Sequence, residues 1–171
     1  MPLPSMGGAS HRTFRAEGII CDARETIVDA PPGRVFELIG NVGGKNGWFY
    51  ANFLWSIRGW IDRIIGGVGM KRGRSQESGI EAGDVIDFWY VQRADTPNEV
   101  LLRAEMKLPG DAWLQFTLRP HDHERTLLRC CAWFQPRGLA GEIYWCGLYP
   151  VHAIIFSGML RAIRNQAERC S

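Results

Sequence analysis

Hydrophobic and polar positions change period twice along this chain. In Ile19 to Val28 an apolar start and a β-branched end are compatible with a strand. Ala30-Pro31-Pro32-Gly33 breaks it, and Val35, Phe36 and Ile39 then take up helical spacing, so the strand leads into a short helix. Asn41 to Gly47 is glycine-rich and reads as a loop. The following WFYANFLWSIRGWIDRIIGG carries Phe53, Ile57, Ile61 and Ile64 at the spacing of a second, amphipathic helix, stopped by Gly66-Gly67.

Four strand-like runs come next: Asp84 to Arg93, Val100 to Lys107, Trp113 to Arg119 and Thr126 to Gln135. The turn formers Asp95-Thr96-Pro97-Asn98, Pro109-Gly110 and Pro120 to Arg125 join them as antiparallel neighbours. Pro136-Arg137-Gly138 ends the last run, and Leu139 to Leu148 predicts a helical turn before Pro150. Val151, Ile154, Ile155, Met159, Ala162 and Ile163 then trace one face of a long final helix, with Arg161, Arg164, Asn165 and Glu168 on the wetter side. The apolar face needs a partner, and the sheet is large enough to serve.

With 171 residues, 46% hydrophobic and 11% aromatic with seven Trp, the chain has enough apolar material for one packed domain and for lining a cavity. Residues 1–15, rich in Gly, Pro and Ser, predict a flexible tail, leaving 16–171 as the domain. A net charge of +2 with mixed signs argues against nucleic acid as a partner. The sequence contains no run of roughly 18 apolar residues and no signal-peptide layout, so the expectation is a cytoplasmic protein without a membrane span. The five cysteines form no Cys-x-x-Cys pair, and Cys130 and Cys131, adjacent in a strand, should face opposite sides as reduced thiols.

The order strand, helices, strands, long helix, with TIVDAPPGRVFELI near its start, resembles the START-like or SRPBCC superfamily. GWFYANFLWSIRGWIDRIIGGVGMKRGR, GDVIDFWYV, LLRAEMKLPGDAWLQF and PRGLAGEIYWCGLYPVHAIIF resemble an uncharacterised branch of it, over roughly residues 18 to 168. The resemblance implies an α+β helix-grip fold, polyketide-cyclase-like. A curved antiparallel sheet of about six or seven strands surrounds a long C-terminal helix, with short helices after the first strand. It also implies a dehydrogenase-like partner, because relatives are often fused to NAD(P)-binding, short-chain-dehydrogenase-like domains. Five strands are legible, so Val68 to Ile80 is where another is sought. No Gly-x-Gly-x-x-Gly opens a helix after a strand, so Rossmann binding of NAD is excluded and no cofactor is expected.

Candidate chemistry begins at the first hairpin. In its simplest register Asp87 lies opposite or diagonal to Glu105, with Trp89, Arg103 and Lys107 on the same face and Val100, Leu102, Ala104 and Met106 on the other. Two carboxylates beside a Lys suit acid/base work, with Tyr50 as hydrogen-bond donor. The plainer reading is a solvated face with charges paired across strands. Trp48, Trp89 and Trp113, with Tyr144 and His152 near the final helix, are candidates to line a pocket, although core packing accounts for such aromatics equally well. Arg72, in the basic glycine-rich stretch Gly66 to Arg74, is a candidate anion ligand, against a solvated loop. His121 and His123 lack a third ligand, so no metal is expected. Three functions stay open: binding of a small hydrophobic molecule, a cyclase, isomerase or dehydratase acting on a hydrophobic carbonyl compound, and docking on a dehydrogenase-like protein. A homodimer is also admitted.

Overall fold

The computed structural model describes residues 11–43, 47–50, 63, 66, 79–122 and 124–169. Their elements are, in chain order, β1 (His11–Ala16), β2 (Ile19–Val28), α1 (Pro32–Gly40), β3 (Val85–Ile86), β4 (Trp89–Asp95), β5 (Glu99–Ala104), β6 (Gly110–Pro120), β7 (Thr126–Pro136) and α2 (Gly138–Arg169). The strands form one antiparallel sheet in the order β1-β2-β7-β6-β5-β4-β3. It is curved, and with the long C-terminal helix it forms a helix-grip α+β fold.

Alternation along the strands separates two apolar clusters. Ile20 and Val28 of β2, Leu114, Phe116 and Leu118 of β6, and Leu128, Cys130 and Phe134 of β7 join α1 and α2 in the main core. Ile19, Cys21, Ala23, Cys131 and Trp133, with Phe14 and Trp113 against them, make a smaller cluster on the other face. Cys130 and Cys131 therefore do point to opposite sides, and neither forms a disulfide. Burial pushes the Cys130 thiol well up, whereas a hydrogen bond from Cys21 holds Cys131 below the usual thiol range.

Helix α1 starts on Pro32, whose missing N–H costs nothing in a first turn, and buries Val35, Phe36 and Ile39. Its Arg34 Nε donates to the Ala167 carbonyl at 3.2 Å, and the Asp29 N–H donates to Glu168 Oε1 at 3.2 Å, so both hold the end of α2. Helix α2 seats Trp145, Ile155, Phe156, Met159, Leu160, Ile163 and Ala167 in the core.

Four expectations change. Residues 11–15, read as tail, belong to β1, which pairs with β2 from His11↔Arg24 to Ala16↔Ile19. The run from Asp84 to Arg93 is two strands, because the chain reverses at Asp87-Phe88 and Ile86 pairs with Trp89. Pro150 does not divide the last helix: buried side chains on both sides of it outweigh the roughly 3 kcal/mol that an interior proline costs. Finally, α2 is long and apolar enough by composition to cross a bilayer, with mean hydropathy 1.4 over an 18-residue window. One such helix does not show a membrane span, and a core helix passes the same test. Apart from Arg63, the second helix read from Phe53 to Ile64 lies outside the described residues, as does most of the stretch searched for a further strand.

Ile163, fully buried where α2 meets the sheet and α1, tests this packing. Ile163→Ala is expected to lower unfolding free energy by about 2–5 kcal/mol, read from denaturant midpoints at unchanged slope.

Candidate functional site

Side-chain size along the concave face decides where the sheet and α2 meet and where they part. Across β6 and β7, Leu118 stands opposite Leu128 and Phe116 opposite Cys130, and these fill the layer beneath the C-terminal half of α2. Farther along, Leu114 faces Ala132 and Ala112 faces Phe134, and Ala104 follows on β5. The alanines stop short of the helix and leave a cavity of about 280 Å³ under its first half.

The floor includes Ala104, Ala112, Leu114 and Ala132, and the roof includes Leu148, Val151, Ile155 and Phe156 of α2. Met106 and Leu108, from the connection between β5 and β6, line one side. Aromatic rings supply most of the remaining wall. Trp145 stacks on Phe134 with centroids 5.5 Å apart at 10°, Tyr144 meets Phe134 at 5.6 Å, and His152 lies edge-on to Trp145 at 5.1 Å. Among the described residues, no Asp, Glu, Lys or Arg lines this space, and the titratable side chains there are Tyr144 and His152. Trp89 lies in the wall with its indole N–H buried, and that group has no hydrogen-bond partner among the described residues. A space so lined can hold an uncharged, largely apolar molecule, with polar handles at a few points.

The first hairpin departs from its simplest register. The ladder runs Asp95↔Glu99, Ala94↔Val100, Arg93↔Leu101, then skips Gln92 and resumes at Val91↔Leu102. That one bulged residue moves Trp89 from opposite Glu105 to opposite Ala104, turning it into the cavity and away from Arg103. Arg103 stays on the solvent side, 3.6 Å from Asp111 across the strands. Val100 and Leu102 are buried, and Ala104 and Met106 face the cavity, on the side expected of them.

Asp87 is not on a strand face at all. It sits in the β3–β4 turn at φ 55°, a left-handed conformation that Asp tolerates better than most residues, and is 2% exposed. Its Oδ2 accepts a 2.9 Å hydrogen bond from Trp48 Nε1, and Trp48 stacks on Phe88 with centroids 6.3 Å apart at 9°. Gly43 closes over the turn, where a Cβ would lie 2.2 Å from Ile86 Cγ2. Asp87 and Trp48 thus lock the loop after α1 to the hairpin, and neither lines the cavity.

Glu105 and Lys107 are exposed, the former donating its backbone N–H to the Phe88 carbonyl at 2.9 Å. The Lys107 ammonium reaches outward, 3.2 Å from where a Cβ on Gly66 would stand. Tyr50 lies on the outer side of α2, its ring flat against Gly158, where a Cβ would come within 2.3 Å of it. The expected grouping of Asp87, Glu105, Lys107 and Tyr50 is therefore not formed in the cavity. Trp113 borders the cavity and also packs against the cluster with Trp133 on the other face. Trp89, Tyr144 and His152 do reach the wall, and Arg72 lies outside the described residues. No group of three or more His, Cys, Asp or Glu suited to a metal occurs among the described residues. Sequence reading passed over the three alanines, although small residues at successive core-facing strand positions were the available sign of a void.

A family model described as "Protein of unknown function (DUF2867)" matches residues 18–159. No curated protein sequence matches the chain. Among solved structures, the ZhuI aromatase/cyclase from Streptomyces sp. R1128 is similar with TM-score 0.50 at 17% identity, over 88% of this chain and 94% of that one. Norcoclaurine synthase from Thalictrum flavum, in complex with dopamine and hydroxybenzaldehyde, gives TM-score 0.53 at 10% identity over 100% and 98%. At such identities the likeness is one of fold, the helix grip.

The turn carboxylate makes a sharp stability test. Asp87→Ala strands the buried Trp48 N–H and is expected to cost about 1–3 kcal/mol in urea unfolding, whereas Asp87→Asn, which still accepts that bond, costs less.

Proposed function

The chain belongs to that family, and we propose that its cavity binds a small, largely hydrophobic molecule between the sheet and α2. The observation that carries the reading is the lining: about 280 Å³ bounded, among the described residues, by aliphatic and aromatic side chains without a formal charge. That volume is near the lower end of the roughly 300–1,000 Å³ usual for small-molecule sites, which favours a compact ligand. Flat walls from Trp145, Phe134 and Tyr144 favour a planar one, since ring faces give area at little entropic cost. The norcoclaurine synthase structure of the same fold holds two small aromatic compounds, in keeping with this class.

Specificity then falls to few groups. The Trp89 indole N–H is a buried donor that a small side-chain movement would offer to a ligand oxygen, and His152 and Tyr144 stand at the opposite wall on α2. A ligand with one or two acceptor oxygens on an apolar frame suits this set. Among the described residues, acid/base chemistry on such a molecule has His152 and Tyr144 to draw on within the wall, and Asp87, Glu105, Lys107 and Tyr50 have no part in this proposal.

The test is a thermal-shift titration with compact aromatic alcohols, 2-naphthol first. Binding to the folded state alone at a hundredfold excess over Kd contributes about 2.7 kcal/mol, which raises Tm by several degrees for a chain of this size. Ala132→Phe and, separately, Ala112→Leu fill the void and are expected to abolish the shift while leaving the folded spectrum intact, and Glu105→Gln with Lys107→Met leaves it unchanged. A flat response of the wild type across apolar probes, or a shift that survives both filling variants, sinks the proposal.

A further inference from the structure

The seam between α2 and the β2 side of the sheet is built differently from the rest of the helix contact. Ile20 and Val28 of β2 lie in the main core, so alternation puts Asp22, Arg24 and Thr26 on that same concave face. Asp22 is 1% exposed, and it holds Arg24, whose Nε and Nη2 lie 3.4 and 3.1 Å from Asp22 Oδ2. The Arg24 side chain keeps 12% of its surface in water. An ion pair taken out of water is a weak source of stability, and apolar residues of similar size would serve the packing as well. What the pair does supply is an arginine locked in one orientation, with Asp22 on one edge of its planar fork.

The other edge meets α2. Arg24 Nη1 donates to Ser157 Oγ at 2.6 Å. Ser157, Arg161 and Arg164 stand at i, i+4 and i+7, so α2 presents them as one row along the side that faces β2. Between that row and Arg24 and Thr26 lies a polar recess of about 290 Å³. Among the described residues it shares no wall with the apolar cavity, although Phe156 and Ser157 are consecutive and Asp22 stands opposite Ala132. The acids nearby are already engaged: Asp22 by Arg24, and Glu25 by Arg129 at 2.7 Å. Arg164 has a 4.0 Å approach to Glu168, and Arg161 has no carboxylate partner among the described residues. Ser157 accepts from Arg24, which leaves its own O–H to donate.

We propose that this recess binds a phosphate-sized oxyanion, either free phosphate or the head of a phosphomonoester. Arg24 supplies fixed N–H donors from the sheet, Ser157 a hydroxyl donor, and Arg161 and Arg164 reach the outer oxygens from the helix. Donors that converge from both walls suit a tetrahedral anion, since the two oxygens of a carboxylate would leave part of the set unpaired. Charge-assisted hydrogen bonds to phosphate are about twice as strong as neutral ones, and a guanidinium fork matches the spacing of two phosphate oxygens. The locked orientation of Arg24 lowers the entropy lost on binding, because that long side chain is already ordered by Asp22 and Ser157. The site stands apart from the cavity, and the function proposed for the cavity neither requires it nor follows from it.

The experiment is an NMR titration of the full, isotopically labelled chain with inorganic phosphate at constant ionic strength, followed at the backbone amides of residues 24–26 and 157–164 and at the arginine Nε–H groups. The expected result is saturable shifts confined to the recess, with a Kd on the order of 1 mM or tighter. Phenyl phosphate, titrated in parallel, assigns the source: tighter binding than inorganic phosphate means a phosphomonoester, and equal or weaker binding means the free anion. Ser157→Ala and Arg161→Gln, both at exposed positions, are each expected to weaken binding about tenfold at unchanged Tm. Arg24→Lys, which keeps the charge and loses the fork, is expected to weaken it as well. Arg137→Gln, beyond the far end of β7, leaves it unaltered. Absence of saturable shifts at the recess overturns the proposal. So do shifts that sodium chloride reproduces at matched ionic strength, and so does binding that survives Ser157→Ala and Arg161→Gln together, since the anion then sits elsewhere.

Discussion

One helix has to cover a sheet whose side chains are not all of one height. Where β6 and β7 offer Phe116, Leu118 and Leu128, the helix packs down and Met159, Ile163 and Ala167 disappear into the core. Where they offer Ala112 and Ala132, with Ala104 on β5, a rigid helix cannot bend inward to follow, and a space stays open. An empty apolar space forfeits dispersion contacts and costs stability in proportion to its volume, about 24 cal/mol per Å³ where it has been measured in cores. The C-terminal half of α2, tied to α1 by Arg34 and to the end of β2 through Glu168, supplies the packing that offsets it.

A single bulged residue governs the chemistry of that space. Skipping Gln92 in the β4–β5 ladder turns Trp89 inward and leaves the charged residues of the hairpin outward. The turn at Asp87 then does a different job from the one its carboxylate suggests. By accepting the Trp48 indole N–H, the carboxylate anchors the loop after α1 against the β3–β4 hairpin, with Gly43 closing over it. A buried acid held by a specific donor is as much a structural device as a catalytic one, and this one lies outside the cavity.

Helix α2 serves three environments at once. Its C-terminal half packs in the core, its first half roofs the cavity with Tyr144, Leu148, Val151 and His152, and its outer side exposes an uncharged stripe that includes Leu139, Ile143 and Ile154. This accounts for a helix apolar enough to resemble a membrane span although little of its most apolar window is buried. Tyr50, lying on Gly158, marks where the stripe gives way to the polar surface near Arg161 and Asn165.

Periodicity determined what it can determine: β2 from Ile19 to Val28, α1 around Val35, Phe36 and Ile39, the run of strands, and the long final helix. These depend on which residues alternate or recur every three to four positions, and that is written locally. The resemblance carried by the Ala-Pro turn and its flanking motifs supplied the helix grip. Strand β1 escaped because its pairing with β2, rather than its own composition, makes it a strand, and the uninterrupted α2 escaped because the cost of Pro150 is met by packing far away in sequence. The site was less legible still. Whether Trp89 looks into the cavity depends on strand register, and register shifts by one residue at a bulge that no local pattern marks. The cavity itself belongs to no segment, since it is the gap left when side chains from four strands and one helix, distant in sequence, fail to fill the distance between their backbones.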